Sequence, residues 1–305
     1  MRWLAFAMSN GFRSGFVAVV GKPNAGKSTL VNALVGEKVS IVTHRPQTTR
    51  HRIVGIRNRA DSQIVFVDTP GLHAAAGKLI NRTMNRAAAG SMADADLVLL
   101  VIEAGGWQRA DSVVLERLAK ASAPVILVVN KTDQVKPKSR LLPLLAACQA
   151  RHEYAGIVPV SALSGDNLEE LLRLIVAQLP PGDRYYPPDM TTDRGREFRL
   201  AEALREQLMA TFGREVPYGV AVEITALEEE PGLLKVDAMI WVAKASQRPI
   251  VIGRGGEKLK AVSTAARLEM ERIVGSKVFL QTHVKVRRNW ADDARSLRQF
   301  GYEIE

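Results

Sequence analysis

The chain has 305 residues, with 42 Lys and Arg against 32 Asp and Glu, 47% hydrophobic residues and a single cysteine. That length fits two domains of ~150 residues each, and near-half apolar content with mixed charge excludes a disordered or collagen-like chain. Cys148 alone supports neither an internal disulfide nor a Cys-rich metal site, so a cytosolic home is expected. No apolar run reaches the ~20 residues that a spanning helix needs. The net charge of +10 is unevenly spread: residues 1–180 carry 22 basic and 13 acidic side chains, 181–234 carry 6 and 11, and 235–298 carry 14 and 6. Two basic blocks flank an acidic one, and basic blocks attract polyanions by releasing their counterions.

Residues 1–14 read as an N-terminal extension, because the apolar stretch up to Met8 is too short for the core of a signal peptide. From Phe16 to Leu179, apolar β-branched runs (Phe16–Val20, Ile64–Val67, Leu97–Ile102, Val125–Val129, Ile157–Val160) alternate with helical patterns (Lys27–Val35, Lys78–Ala89, Ala110–Ala121, Ser139–Gln149, Asn167–Gln178). Such alternation predicts βα units around a mainly parallel sheet with helices on both faces, whose ligands sit at the carboxyl ends of the strands. Four prolines and a glycine between Pro180 and Pro188 stop the pattern. The expected first domain is therefore 15–180, followed by a linker, 181–195. Beyond it, helix Arg196–Phe212, strands Gly219–Glu229 and Leu233–Ala243 around a Pro231-Gly232 turn, a helix-loop-helix Pro249–Val274 and strand Lys277–Val286 predict a smaller α+β domain over 196–305.

The strand Phe16–Val20 runs into Gly21-Lys-Pro-Asn-Ala-Gly26-Lys27-Ser28, a G-x-x-x-x-G-K-[ST] loop in its strand-loop-helix setting. Glycines there let backbone N–H groups turn toward phosphate oxygens, and the helix N-terminus adds its positive dipole end. Asn24, Ala25, Gly26, Lys27, Ser28 and Thr29 are thus expected to hold the nucleotide, Lys27 on the β and γ phosphates and Ser28 on Mg²⁺. Asp68-Thr-Pro-Gly71 closes the run Ile64–Val67, putting a carboxylate where it reaches the Mg²⁺ shell and the Gly71 N–H near a γ phosphate. Asn130-Lys131-Thr-Asp133 closes the run Val125–Val129. A carboxylate at Asp133 accepts from the ring N–H and exocyclic amine of guanine, a pattern adenine does not offer. Between the first two motifs, Arg45-Pro-Gln-Thr48-Thr49-Arg50-His51-Arg52 has the character of a switch loop, in which Thr49, or with less support Thr48, completes the Mg²⁺ shell when a γ phosphate is present.

In the second domain, Gly253-Arg254-Gly255-Gly256 is a G-x-x-G turn between two apolar helical segments. A turn without Cβ atoms admits a nucleic-acid strand, with Arg254, Lys258 and Lys260 beside it for phosphates. A lone G-x-x-G is more often a plain helix-helix turn, but the α-β-β-α-α-β order and the basic block around it match a KH domain of type II. Lys285, Arg287 and Arg288 end the last strand and extend the basic surface. Ile250, Val251, Ile252 and Val262 are candidates for an apolar groove floor, and Trp290 for either a stacking platform or packing of the C-terminal helix, with packing favoured.

Taken together, these motifs resemble those of translation-factor-class GTPases and, over residues ~14–303, more closely the Era GTPase family, bacterial regulators of small-subunit ribosome assembly. The resemblance rests on the motif order, the Gln47-Thr-Thr-Arg-His-Arg stretch and Asp68-Thr-Pro-Gly-Leu-His73. It implies an α/β P-loop GTPase domain followed by a type II KH domain, and slow hydrolysis of GTP to GDP with Lys27, Asn24, Thr49 and Gly71 as the catalytic set. In that family Ser161-Ala162-Leu163 fits the loop whose backbone meets the guanine O6. Related GTPases with an asparagine inside the phosphate loop bind K⁺ there, which assigns that ion to Asn24. Leu72 stands where Ras-type enzymes place the glutamine that orients water, and it activates nothing. The implied partners are the 3′ end of 16S ribosomal RNA and the 30S subunit, for a cytoplasmic monomer with peripheral contact at the inner membrane as an additional possibility. Two other classes of reading fit the same residues: an RNA-binding assembly chaperone with incidental hydrolysis, and a GTPase working at the membrane surface or in tRNA modification.

Overall fold

The computed structural model describes residues 11–70, 77–118, 122–213 and 216–302. The described chain forms two compact units: one from residues up to Ser40 with 52–70 and 88–193, the other from 41–51, 77–87 and 194–302. Gly71, Leu72 and His73, and most of the expected N-terminal extension, lie outside the described residues.

The first unit is built on a six-stranded sheet of order β2-β3-β1-β4-β5-β6. Its strands are β1 (Arg13–Val20), β2 (Ile53–Asn58), β3 (Ser62–Asp68), β4 (Leu97–Glu103), β5 (Val125–Asn130) and β6 (Gly156–Pro159). All neighbours pair in parallel except β2, which runs antiparallel to β3. Central strands covered on both faces must be apolar throughout, and β5 is buried over its whole length. Alternate side chains point to opposite faces. On one face Val17 and Val19 meet Leu30, Val31 and Leu34 of α1 (Lys27–Val35) and Leu171, Leu172 and Ile175 of α5 (Leu168–Gln178). On the other, Ala18 and Val20 meet Met92 of α2 (Leu79–Ala93), Val114 and Leu118 of α3 (Arg109–Leu118) and Leu141 and Cys148 of α4 (Leu141–Gln149).

The proline-rich linker is zipped onto this unit. Pro181 bridges Arg13 and Thr192 bridges Gly55. Gln63 Oε1 accepts from the Tyr185 and Tyr186 N–H groups at 2.8 and 3.0 Å, and Thr192 Oγ1 donates to the Val54 carbonyl at 2.7 Å. Prolines withhold donors but leave carbonyls and side chains to bind a sheet edge.

The second unit follows the expected α-β-β-α-α-β order: α6 (Arg196–Thr211), β7 (Val220–Glu230), β8 (Leu233–Val242), α7 (Gln247–Ile252), α8 (Glu257–Val274) and β9 (Lys277–Val286). β7 and β8 form an antiparallel hairpin, and β9 joins β8 in parallel. Alternate residues of β8, Leu234 to Val242, are buried against Leu200, Leu204 and Leu208 of α6 and Val262, Ala266 and Met270 of α8. The chain closes with α9 (Ala294–Gln299), N-capped by Asp293, whose side chain accepts from the Ser296 N–H. Trp290 is fully buried there, its Nε1 donating to the Gly219 carbonyl at 3.0 Å and its ring edge-on to Phe300. It packs the tail, as the sequence favours, and is closed to a base.

Residues 41–51 pack within this second unit. Arg50 donates to the Val220 and Pro217 carbonyls, both at 2.8 Å, and Arg45 Nε to the Met209 carbonyl at 2.8 Å. Arg205, paired with Glu202 at 2.6 Å, also reaches the Thr48 carbonyl. His51 stacks on Tyr302 at 4.3 Å and meets Phe198 edge-on. Burial pushes its pKa down to about 4, against a smaller upward pull from Glu202. A folded pKa below the ordinary 6.5 keeps the ring neutral, so its stabilisation is complete above pH 6.5 and is lost as pH falls towards 4, up to about 3 kcal/mol. The native chain is expected to lose up to about 3 kcal/mol of stability relative to His51→Phe, which keeps the stack and removes the titration, between pH 6.5 and 4 in urea unfolding; a constant difference would refute the assignment.

Candidate nucleotide and RNA sites

The phosphate loop joins β1 to α1, and two of its glycines are required by close approach. A Cβ on Gly21 would lie 2.3 Å from the Val101 carbonyl oxygen, and one on Gly26 would lie 2.3 Å from Asn130 Nδ2. Both have positive φ, 154° and 93°, which side chains avoid. Gly26 opens α1 without a side-chain cap, so its first N–H groups face outward for an anion. Lys27 is buried and donates from Nζ to the Gly21 and Lys22 carbonyls, both at 3.0 Å. Burial lowers its pKa to about 8, against the pull of the Asp68 carboxylate; phosphate oxygens would add counter-charge to this partly compensated cation.

The strand ends bring the other motifs to the same side. Asp68 closes β3 fully buried, and its Oδ2 accepts from Ser28 Oγ at 2.7 Å. A hydroxyl and a carboxylate side by side are hard oxygen ligands of the kind Mg²⁺ selects. Asn130 closes β5 and ties three loops together: its Nδ2 donates to the Ala25 carbonyl and its Oδ1 accepts from the Ala162 N–H, both at 3.0 Å. Asp133 is held by Ser161 Oγ at 2.6 Å, which fixes the carboxylate expected to read guanine. Leu163 is 81% exposed at the rim. Asn24 is exposed at φ 65°, leaving its amide accessible. Thr48 and Thr49 belong to the second unit, where Thr48 Oγ1 bonds Thr43 Oγ1 at 2.6 Å and Thr49 is buried.

Sequence reasoning missed a cluster of charges beside these loops. Lys22 Nζ lies 3.4 Å from Glu103 Oε1 and 3.9 Å from Asp111 Oδ2, and Lys131 Nζ lies 3.4 Å from Glu103 Oε2. The available signal was positional: Glu103 ends an apolar strand as Asp68 and Asn130 do, and it pairs with Asn130 in register.

In the second unit the G-x-x-G turn links α7 to α8 with Gly253, Gly255 and Gly256 at φ 77°, 60° and 83°. A Cβ on Gly253 would meet Lys258 atoms at 2.8 to 2.9 Å, whereas Gly255 and Gly256 face open space. Arg254, Lys258, Lys260, Lys285 and Arg288 are exposed. Arg287 is half-buried, 3.8 Å from Asp293 and over the rings of Trp241 and Phe300, so it also braces the tail. Val251 and Val262 are core residues, while Ile250 is 46% exposed. Among the described residues no helix is long and apolar enough to cross a membrane.

A loop of phosphate-binding form, a hydroxyl–carboxylate pair and an Asn-Lys-Thr-Asp motif in one unit, with a KH-type turn in the other, are the features of a GTPase joined to an RNA-binding module. A family model described as "50S ribosome-binding GTPase" matches residues 16–131, and a KH-domain model matches 215–291. GTPase Era of Xanthomonas oryzae pv. oryzae is 50% identical over 295 residues, covering 97% of this chain and 99% of its own, and GTPase Era of Stenotrophomonas maltophilia is 50% identical over 289. The chain belongs to the Era GTPase family. Among solved structures, Aquifex aeolicus Era bound to GDP and AlF₄⁻, and Era in complex with MgGDPNP and nucleotides 1506–1542 of 16S ribosomal RNA, each superpose with a TM-score of 0.93 at 38% identity, covering 96% of this chain.

Proposed function

We propose that the chain is a GTP-hydrolysing switch that holds the 3′ end of 16S ribosomal RNA and acts in assembly of the small ribosomal subunit. The single observation that carries this reading is a chain-long likeness, 96% of its residues, to a protein bound at once to a guanine nucleotide and to that RNA segment. The family model whose description refers to the large subunit covers residues 16–131 only, stops short of the KH-type turn and does not bear on the RNA.

Main-chain N–H groups of the loop through Ser28 cradle the phosphates, Lys27 moves from its two carbonyls to the β and γ oxygens, and Asp133 selects guanine. Ser28 and Asp68 would hold Mg²⁺, which supplies positive charge at the β and γ phosphates when bound. Gly71 offers its N–H to the γ phosphate. Asn24 would hold K⁺, so turnover is expected to be faster in KCl than in NaCl; equal rates remove that assignment and leave GTP binding intact. Arg254, Lys258, Lys260, Lys285, Arg287 and Arg288 meet RNA phosphates around Gly253, Gly255 and Gly256. The protein works as a monomer in the cytoplasm, with membrane contact peripheral.

A switch requires that RNA bind one nucleotide state better than the other. Filter binding of the 16S 3′-end RNA at fixed salt is expected to be about tenfold tighter with a GTP analogue than with GDP, within the usual range of such couplings. Equal affinities would overturn the coupling.

A further inference from the structure

The charge cluster beside the phosphate loop lies wholly in the first unit and alternates in sign: Asp111, Lys22, Glu103, Lys131. Lys22 is the second residue of the phosphate loop and Lys131 the second of the base-reading motif. Glu103 gives one carboxylate oxygen to each, at 3.4 Å in both cases. Lys22 Nζ is buried without a hydrogen bond, so its charge is balanced by Glu103 and, at 3.9 Å, by Asp111. Asp111 is itself fixed, fully buried and accepting from the Gln108 N–H at 2.9 Å.

We propose that Glu103 is a positioning residue for nucleotide binding, a bridge that holds the phosphate loop and the base-reading loop in one register. The link to the phosphates runs through the backbone, since the Lys22 carbonyl is one of the two that hold the Lys27 ammonium at 3.0 Å. Holding Lys22 by its side chain therefore sets where Lys27 waits. The link to the base runs through Lys131, which adjoins Asn130 and stands at φ 65°, a conformation that costs energy outside glycine and needs outside support. The Asn130 bond to Ala25 ties the same two loops near the helix; the Glu103 bridge ties them at the other end, and two ties fix an angle where one leaves a hinge. Removing the central charge leaves Lys22 buried beside a single distant carboxylate and releases Lys131, the costly way to break a buried ion network.

This inference rests on the nucleotide site proposed above, and the test separates the two. Dissociation of mant-GDP, with Mg²⁺ present, is first measured by stopped flow on the unsubstituted full chain; no binding there would refute the site itself. Given binding, Glu103→Gln is expected to release mant-GDP about tenfold faster, and Glu103→Asp, which keeps the charge, by less, since mutations in one interface act chiefly on the off-rate. A general loss of packing would give effects that multiply when combined with Lys22→Met. A bridge gives a double variant no faster than the worse single one, because both remove the same tie. An off-rate within twofold of the unsubstituted chain for Glu103→Gln, or multiplying effects in the double variant, overturns the proposal.

Discussion

Replacing Lys27 by alanine is expected to lower GTP turnover by roughly a hundredfold to a thousandfold, the loss typical of one preorganised charge removed from a phosphoryl-transfer site. The structure argues for the upper end. Lys27 is 7% exposed and its pKa is lowered to about 8 by burial, so the loop maintains a desolvated cation whose natural counter-ion is phosphate. Alanine keeps α1, where Lys27 is the first residue, and leaves the Gly21 and Lys22 carbonyls without their donor. Single-turnover hydrolysis with saturating GTP measures the chemical step, and equilibrium binding measures the rest. If the variant loses turnover and still supports subunit assembly in cells, hydrolysis is incidental and the chain acts as an RNA-binding chaperone.

The second large effect is expected in the G-x-x-G turn. Arg254→Asp combined with Gly255→Asp changes the local charge by three and should weaken binding of the 16S 3′-end RNA about a hundredfold at moderate salt, with a flatter salt dependence. The pair is chosen for its backbone. Gly255 has φ 60°, which aspartate tolerates better than most side chains, and a Cβ there meets open space. Gly253 would be a poor choice, because its Cβ would collide with Lys258 and distort α8. Turnover without RNA should be unchanged. Binding to anionic vesicles that falls as far as RNA binding would favour the membrane-surface reading instead.

Much of this arrangement is legible in the residues. Helix Lys27–Val35 and strand Lys277–Val286 form over the predicted ranges, since each combines a clear period with glycine punctuation. Strand β2 was not legible. The residues predict no strand over 53–58, where Gly55 breaks the apolar run, and the glycine is there because a Cβ would lie 2.8 Å from Val35 Cγ2, where α1 packs on the sheet. The Glu103 bridge was hidden for another reason: one glutamate after an apolar run is uninformative until the order β1-β4-β5 sets it beside two loops distant in sequence. Likewise the basic stretch Arg45 to Arg52 reads as a solvated or switching loop, and nothing local reveals that Arg45 and Arg50 spend their guanidinium groups on carbonyls of the second unit.

That last feature bears on how the polypeptide can be dissected. A fragment beginning after the linker would keep α6 to α9 and β7 to β9 of the RNA module and still lack residues 41–51 and 77–87. The pocket that takes Arg50 and His51, walled by Trp290, Phe198 and Tyr302, would open to water, and the Glu202–Arg205 pair would lose the Thr48 carbonyl. Such a fragment should aggregate more readily than the parent, and supplying residues 41–51 as a separate peptide is the first remedy to try for the opened pocket.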